Sequence, residues 1–372
     1  MSWDSIISQA RIKKMLQSAI ERNHLAHAYL FYGSEGVGQE AMALELAKVL
    51  NCSSQSSEAC DDCPDCRKNA ILQHPDTQLI FPLPLGKNEI AGDPPLAKLP
   101  PADIEIVREQ VSMKAHNPYH TIIVPKATSI KLNSIREIRR SAALSRFIGR
   151  KKVYIIFQAE KMNDESSNAL LKTLEEPLAD TIIILTTDNA DQLLPTIVSR
   201  CQRLRFDPLS DSVISEALIT HHNLDAATAE LLSEISMGNY ALAVELKDTD
   251  ITEYRNEVVD FLRTILYRSR EDIYKSLEEF STNTDRKEVE RSLIMLQAWF
   301  HDAMTMQQGE GTRKHLEENS ALKKFIQIHP QIDYARVHQA VSEAVSYVNK
   351  NLYIPLILTV LSFKLRTIIL SR

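Results

Sequence analysis

Residues 26–50 read AHAYLFYGSEGVGQEAMALELAKVL, and three kinds of local structure follow one another in them. AHAYLFY (26–32) is apolar or aromatic on consecutive positions, the pattern of a strand buried on both faces. Three of the chain's nine glycines, Gly33, Gly36 and Gly38, then fall within six residues. AMALELAKVL (41–50) has helical spacing. Strand, glycine loop and helix in that order open a nucleotide-binding α/β unit. A working loop of this kind reads G-x-x-x-x-G-K-[ST]. Its glycines let backbone N–H groups cradle phosphates, its lysine reaches the terminal phosphates, and its hydroxyl holds Mg²⁺. Here the stretch is GSEGVGQE (33–40). The glycine frame stands, but Gln39 occupies the lysine position and Glu40 the hydroxyl position. Gln39 removes the main counter-charge to a triphosphate. Glu40 adds a like charge whose repulsion, at about 4 Å and an effective dielectric near 20, is on the order of 4 kcal/mol.

Further apolar runs lie downstream: TQLIFPL (77–83), KKVYIIF (151–157) and TIIILTT (181–187). Helical patterns separate the later ones, NSIREIRRSAAL (133–144) and DESSNALLKTLEE (164–176). The alternation predicts an α/β domain with a parallel sheet over residues 1–206. In an active enzyme the strand that KKVYIIF represents ends in an Asp-Glu pair that binds metal and activates water. This chain reads VYIIFQAEKMN (153–163), with Phe157 and Gln158 at the two carboxylate positions and Glu160 two or three residues too late. Both losses point to a chain without ATP hydrolysis of its own. Residues 82–125 hold eight of the fifteen prolines and one clear helical stretch, DIEIVREQVSMKAH (103–116). That density suits neither sheet nor helix interiors, so the segment reads as a surface insertion, with a partner-binding arm as the alternative. Beyond Pro208 only helical periodicities occur. They predict a small helical lid (207–249) and a helical C-terminal domain (250–372). The last helix, YIPLILTVLSFKLRTIIL (353–370), is apolar nearly all round, which predicts burial centrally or against partners and an oligomerisation role.

Four of the five cysteines cluster as C-x₇-C-x₂-C-x₂-C: Cys52, Cys60, Cys63 and Cys66. Four thiols in that spacing suit one tetrahedral Zn²⁺ at a closed, structural site. The residues between them are small or acidic, so metal must supply the order that apolar burial cannot. Their acidity (Glu58, Asp61, Asp62, Asp65) argues against a zinc-dependent DNA reader. The 44% hydrophobic and 25% charged content is that of a globular protein, and the net charge of −6 argues against a surface that coats nucleic acid. No run of 18 apolar residues and no signal-peptide core occur, which predicts a cytoplasmic protein.

WDSIISQ (3–9), HLAHAYLFYG (24–33), the cysteine cluster, HPD (74–76), SNALLKTLEEP (167–177) and ILTTDNADQLLPTIVSRCQRLRF (184–206) closely resemble the bacterial DNA polymerase III clamp-loader subunits, of AAA+ type. The likeness is specific over residues 1–80 and about 130–206, and extends to the C-terminal third only in layout. Gamma/tau subunits keep the loop lysine and the acidic pair; the delta-prime branch is degenerate at both, as here. A gamma/tau-like active ATPase stays as the alternative. The stretch GNYALA (238–243) also lacks the nucleotide-sensing arginine of active relatives. The resemblance implies partners of gamma/tau and delta type, a sliding clamp and primed DNA reached through the complex, with no ATP in the chain's own site. It gives Arg200, in Ser199-Arg200-Cys201, the role of an arginine finger that enters a neighbour's ATP site. Such a guanidinium is worth roughly 10³–10⁵ in rate in well-studied NTPases. Thr187 falls where relatives sense the γ-phosphate, and its expected role here is structural.

Overall fold

The computed structural model describes residues 3–142, 148–176, 179–249, 251–284, 286–308, 320–349 and 352–370. Two compact units divide the chain, Met1–Glu245 and Leu246–Arg372. Ala143 and Leu144 of one expected helix, and Pro177 of one quoted string, lie outside the described residues.

In the first unit, β1 (Ala28–Tyr32), β2 (Thr77–Ile80), β3 (Lys152–Ile156), β4 (Thr181–Thr187) and β5 (Gln202–Arg205) build one sheet in the order β2-β3-β4-β1-β5. Every pairing is parallel, with Ala28 opposite Ile183 and Tyr29 opposite Gln202. The helices of this unit are α1 (Ala10–Glu21), α2 (Gln39–Asn51), α3 (Pro64–Ala70), α4 (Pro101–His116), α5 (Leu132–Ala142), α6 (Asp164–Glu175), α7 (Pro195–Val198), α8 (Asp211–His222), α9 (Ala226–Ser236) and α10 (Tyr240–Leu246). Strand side chains alternate between faces. Ala28, Leu30, Tyr154, Ile156, Ile183 and Leu185 pack with Ile135 and Ile138 of α5 and Leu170 and Leu174 of α6. The other face takes α2, which lies on β1, β3 and β4 and is buried at nearly every position. Helices on both faces explain why these strands read as continuous apolar runs. The expected α/β class with a parallel sheet is therefore observed.

The second unit holds α11 (Ile251–Tyr267), α12 (Arg270–Asn283), α13 (Arg286–Gln308), α14 (Ser320–Ile328), α15 (Tyr334–Asn349) and α16 (Ile354–Leu370). Its described elements are all helices, as the periodicities predict. Trp299 and Phe300 of α13 meet Phe325 of α14 edge-on, with ring centres 4.7 and 6.0 Å apart. Of the two expectations for α16, central burial or burial against partners, central burial alone does not describe it. Ile357, Leu358, Leu361 and Leu365 are buried, but Leu356, Val360, Phe363 and Leu370 form an exposed stripe along one side. Hydropathy alone does not distinguish a helix with neighbours all round from one with an open apolar side.

Candidate functional site

The glycine loop leaves β1 and enters α2 with Gly36 at φ 71° and Gly38 at φ 104°, backbone shapes that favour glycine. The Gly33 N–H donates to the Thr187 carbonyl at the end of β4 (3.4 Å), which fixes the start of the loop against the sheet. Gln39, buried at the first position of α2, turns its amide back into the loop. Its Nε2 donates to the carbonyls of Gly33 (3.0 Å) and Ser34 (2.8 Å). A lysine there would reach out to phosphate; this amide is spent on holding the loop closed.

Glu40 ends in an ion pair with Lys114 of α4. Lys114 has no exposed side-chain surface, donates also to the His120 carbonyl (2.7 Å), and lies 5.1 Å from the centre of the Phe157 ring. Burial lowers its pKa while the Glu40 carboxylate opposes the fall. Gln158 points its amide at the Ile122 carbonyl (3.3 Å). The loop residues and the former carboxylate positions, Phe157 and Gln158, are thus brought together around residues 114–122. The insertion expectation is corrected accordingly. Residues 82–125 bury Leu83, Leu99, Val107, Lys114, Tyr119, Ile122 and Val124, so this is not a mere surface excursion. Proline density limits regular structure without saying what the chain covers.

The Ile7 N–H donates to the Tyr119 hydroxyl (2.7 Å), and the Tyr119 ring meets Tyr240 of α10 edge-on at 4.8 Å. Gln9 of the WDSIISQ string donates to the Val37 (3.3 Å) and Asp207 (2.9 Å) carbonyls. Asn239 crowds Gly36 so closely that no side chain fits there. None of these coverings was anticipated, because each joins residues distant in sequence, even where they fall in a quoted string.

Glu160 sits half-buried in the single helical turn after β3 (Ala159–Lys161) and accepts a hydrogen bond from the Thr187 hydroxyl (2.6 Å). Burial, ahead of any neighbour, pushes its pKa up to about 7, and the Thr187 bond opposes. The folded value lies above the unfolded one, so the stabilisation is full below about pH 4.5 and is lost as pH rises through 7. That loss is on the order of 3 kcal/mol. Urea unfolding at pH 5 and pH 8 should show a smaller drop in stability for Glu160→Gln than for the native chain. An equal drop in both would remove the assignment.

Cys52, at the C-terminal end of α2, joins Cys60, Cys63 and Cys66, and their four sulfurs lie within 4.8 Å of one another. Cys52 and Cys60 Sγ are 3.4 Å apart, Cys60 and Cys66 3.9 Å. Backbone N–H groups of Cys60, Cys63 and Cys66 each donate to a cluster sulfur at 3.2–3.4 Å. For Cys63 such bonds outweigh burial and bring the thiol down to about 6, whereas burial and its thiol neighbours push Cys66 up. Four thiols this close are a set that a divalent cation could bind as thiolates. Lys48 of α2 pairs with Glu45 (2.9 Å) and with Asp61 of the cysteine loop, anchoring that loop to the phosphate-loop helix. His74 stands outside the four, buried with its Nε2 3.4 Å from Asp65. Asp76 of the HPD string accepts the Ile148 (3.0 Å) and Gly149 (2.7 Å) N–H groups and so aims the entry to β3.

Arg200 belongs to neither group. At the end of α7 it donates to the Thr196 carbonyl (2.9 Å) and pairs with Glu175 (2.8 Å), with 36% of its side chain exposed. Cys201 beside it is buried, and burial raises its thiol to about 12.

The family model described as DNA polymerase III, delta subunit, matches residues 8–210. The DNA polymerase III subunit delta' of Bacillus subtilis is 30% identical over 312 residues, 83% of this chain and 81% of that one. The chain belongs to the DNA polymerase III delta-subunit family. The resemblance to delta-prime subunits read from the sequence therefore holds. A delta' subunit of Pseudomonas aeruginosa is 29% identical, over 65% of this chain and 62% of its own length. The Bacillus subtilis subunit tau is 26% identical over 67% of this chain, which spans only 38% of it. Among solved structures, a DNA polymerase III gamma subunit-related protein from Thermotoga maritima aligns at TM-score 0.40 and 17% identity, covering 96% of this chain and 99% of that one. No described helix of this family member is long and apolar enough to cross a membrane.

Proposed function

We propose that the chain is a non-hydrolysing subunit of the DNA polymerase III clamp loader, which helps place a sliding clamp on primed DNA and lends Arg200 to a neighbour's ATP site. The observation that carries the reading is the turned-in Gln39, whose amide is committed to the Gly33 and Ser34 carbonyls. A phosphate would have to displace those bonds and would gain no lysine in return. In this reading residues 1–206 are an AAA+ wedge and 207–249 a lid, with 250–372 as the collar that joins the other subunits. The exposed stripe Leu356, Val360, Phe363 and Leu370 supports the collar, because apolar side chains in register on one helix face favour a partner. Its partners are gamma/tau and delta types. The four cysteines hold a structural zinc ion, and the protein acts in the cytoplasm.

The relatives named gamma/tau and tau favour a second reading, an active ATPase. Gln39, Glu40, Phe157 and Gln158 weigh against it, since counter-charge, metal ligand and general base are all replaced. Calorimetric titration of the isolated chain with Mg·ATP separates the two. A flat trace at micromolar concentration and no phosphate release are expected. A micromolar affinity would overturn the non-nucleotide reading.

A further inference from the structure

In a working loop, Mg²⁺ is held by two side chains: the hydroxyl after the loop lysine and the aspartate at the end of the acidic-pair strand. Those positions are Glu40 and Phe157 here. Lys114 meets both replacements, pairing with the Glu40 carboxylate and lying 5.1 Å from the centre of the Phe157 ring. We propose that Lys114 is a built-in cation standing in the metal position of the loop, and that residues 82–125 are an internal ligand of the degenerate site. The proposal rests on the reading that the loop holds no nucleotide, and supplies a reason for it.

Lysines are almost never fully buried unless paired. Lys114 is fully buried and meets a carboxylate, a backbone carbonyl and an aromatic ring. The two substitutions that spoil the motif are complementary to it, because Glu40 supplies the anion and Phe157 a ring attractive to cations. The same segment fastens the loop elsewhere. The Tyr119 hydroxyl would lie 3.2 Å from a side chain built on Gly38, and its ring reaches Tyr240. A bound metal and nucleotide exchange with solution. This cation and its carboxylate are parts of one chain, so the contact does not turn over.

A buried ion pair with no relation to the metal position would share the burial but not the response to a divalent ion. Lys114→Ala in the full-length chain leaves the Glu40 carboxylate and the His120 carbonyl facing the vacated space, oxygen donors suited to Mn²⁺. The expected result is a fall in the thermal unfolding midpoint of roughly 10 °C. Millimolar Mn²⁺ should recover at least half of it, with one bound Mn²⁺ seen by electron paramagnetic resonance. The native chain and Lys114→Ala/Glu40→Gln should not respond. Absence of a Mn²⁺ response in Lys114→Ala, or an equal response in the double variant, overturns the proposal. Should Lys114→Ala not purify folded, refolding with and without Mn²⁺ decides. Recovery only with Mn²⁺ supports the proposal; equal recovery, or none in either, overturns it. ATP binding by the native chain would instead sink the reading on which the proposal rests.

Discussion

Purified without added metal, the chain should carry close to one zinc ion per molecule, and Cys63→Ser or Cys66→Ser should abolish that content. Zn–S bonds near 2.3 Å in a tetrahedron put sulfurs about 3.8 Å apart, and the observed separations of 3.4 and 3.9 Å lie close to that edge. The expected effect is large because residues 53–59 are SSQSSEA, with no apolar core to hold the loop once the thiols repel. Isolated structural zinc modules draw about 10 kcal/mol or more from the metal. Here part of the order is shared with α2 through Lys48 and Asp61, so the loss should stay within the cysteine loop and its attachments. A reporter lies in place, since Trp3 is buried and its indole N–H donates to the Ser57 carbonyl (2.8 Å). Chelation should therefore shift Trp3 emission to the red. Metal-free protein whose emission ignores the chelator would end the zinc assignment.

The elements legible from sequence are those whose environment is uniform along the segment. β1, β3 and β4 are buried on both faces, so Tyr29, Ile155 and Ile184 sit in unbroken apolar runs that read directly as strands. β5 was not read as a strand. It lies at a sheet edge with only Leu204 of its four residues buried, and QRLR looks like a polar connection. α10, α12 and α14 also escaped, being short or rich in charge. The cysteine cluster was legible because its ligands are local. The filling of the phosphate loop was not, since Lys114 lies 74 residues from Glu40 and sits in a charged helix, where a lysine ordinarily reads as solvated. One clue was available. A glutamate on the first turn of a helix entering an apolar core needs a cation, and Gln39 does not supply one. Arg200 owes its expected role wholly to the family resemblance, and Glu175, its partner 25 positions earlier, carries no signal at all.

Arg200→Ala should leave the isolated chain folded, yet cripple a reconstituted loader. Within the chain the guanidinium makes one half-exposed ion pair with Glu175 and one bond to the Thr196 carbonyl. Exposed pairs of this kind contribute under about 1 kcal/mol, so the unfolding midpoint should move by no more than about 4 °C. Assembly, assigned to the helical C-terminal unit, should survive. In the complex the same side chain is proposed to leave Glu175 for a neighbour's triphosphate, where loss of a finger costs roughly 10³-fold or more at that site. Under the proposed reading, total steady-state ATPase should fall only by the share of the one site that Arg200 serves. Clamp loading, if it depends on that site, should fall at least roughly tenfold. Arg200→Lys should rescue poorly, since an ammonium lacks the planar fork that spans two oxygens. Glu175→Gln is the control. It frees the guanidinium without removing it, and should load clamps at close to the native rate. The assay compares complexes matched for subunit content. Native loading by the Arg200→Ala complex would reduce Ser199-Arg200-Cys201 to the turn that joins α7 to β5.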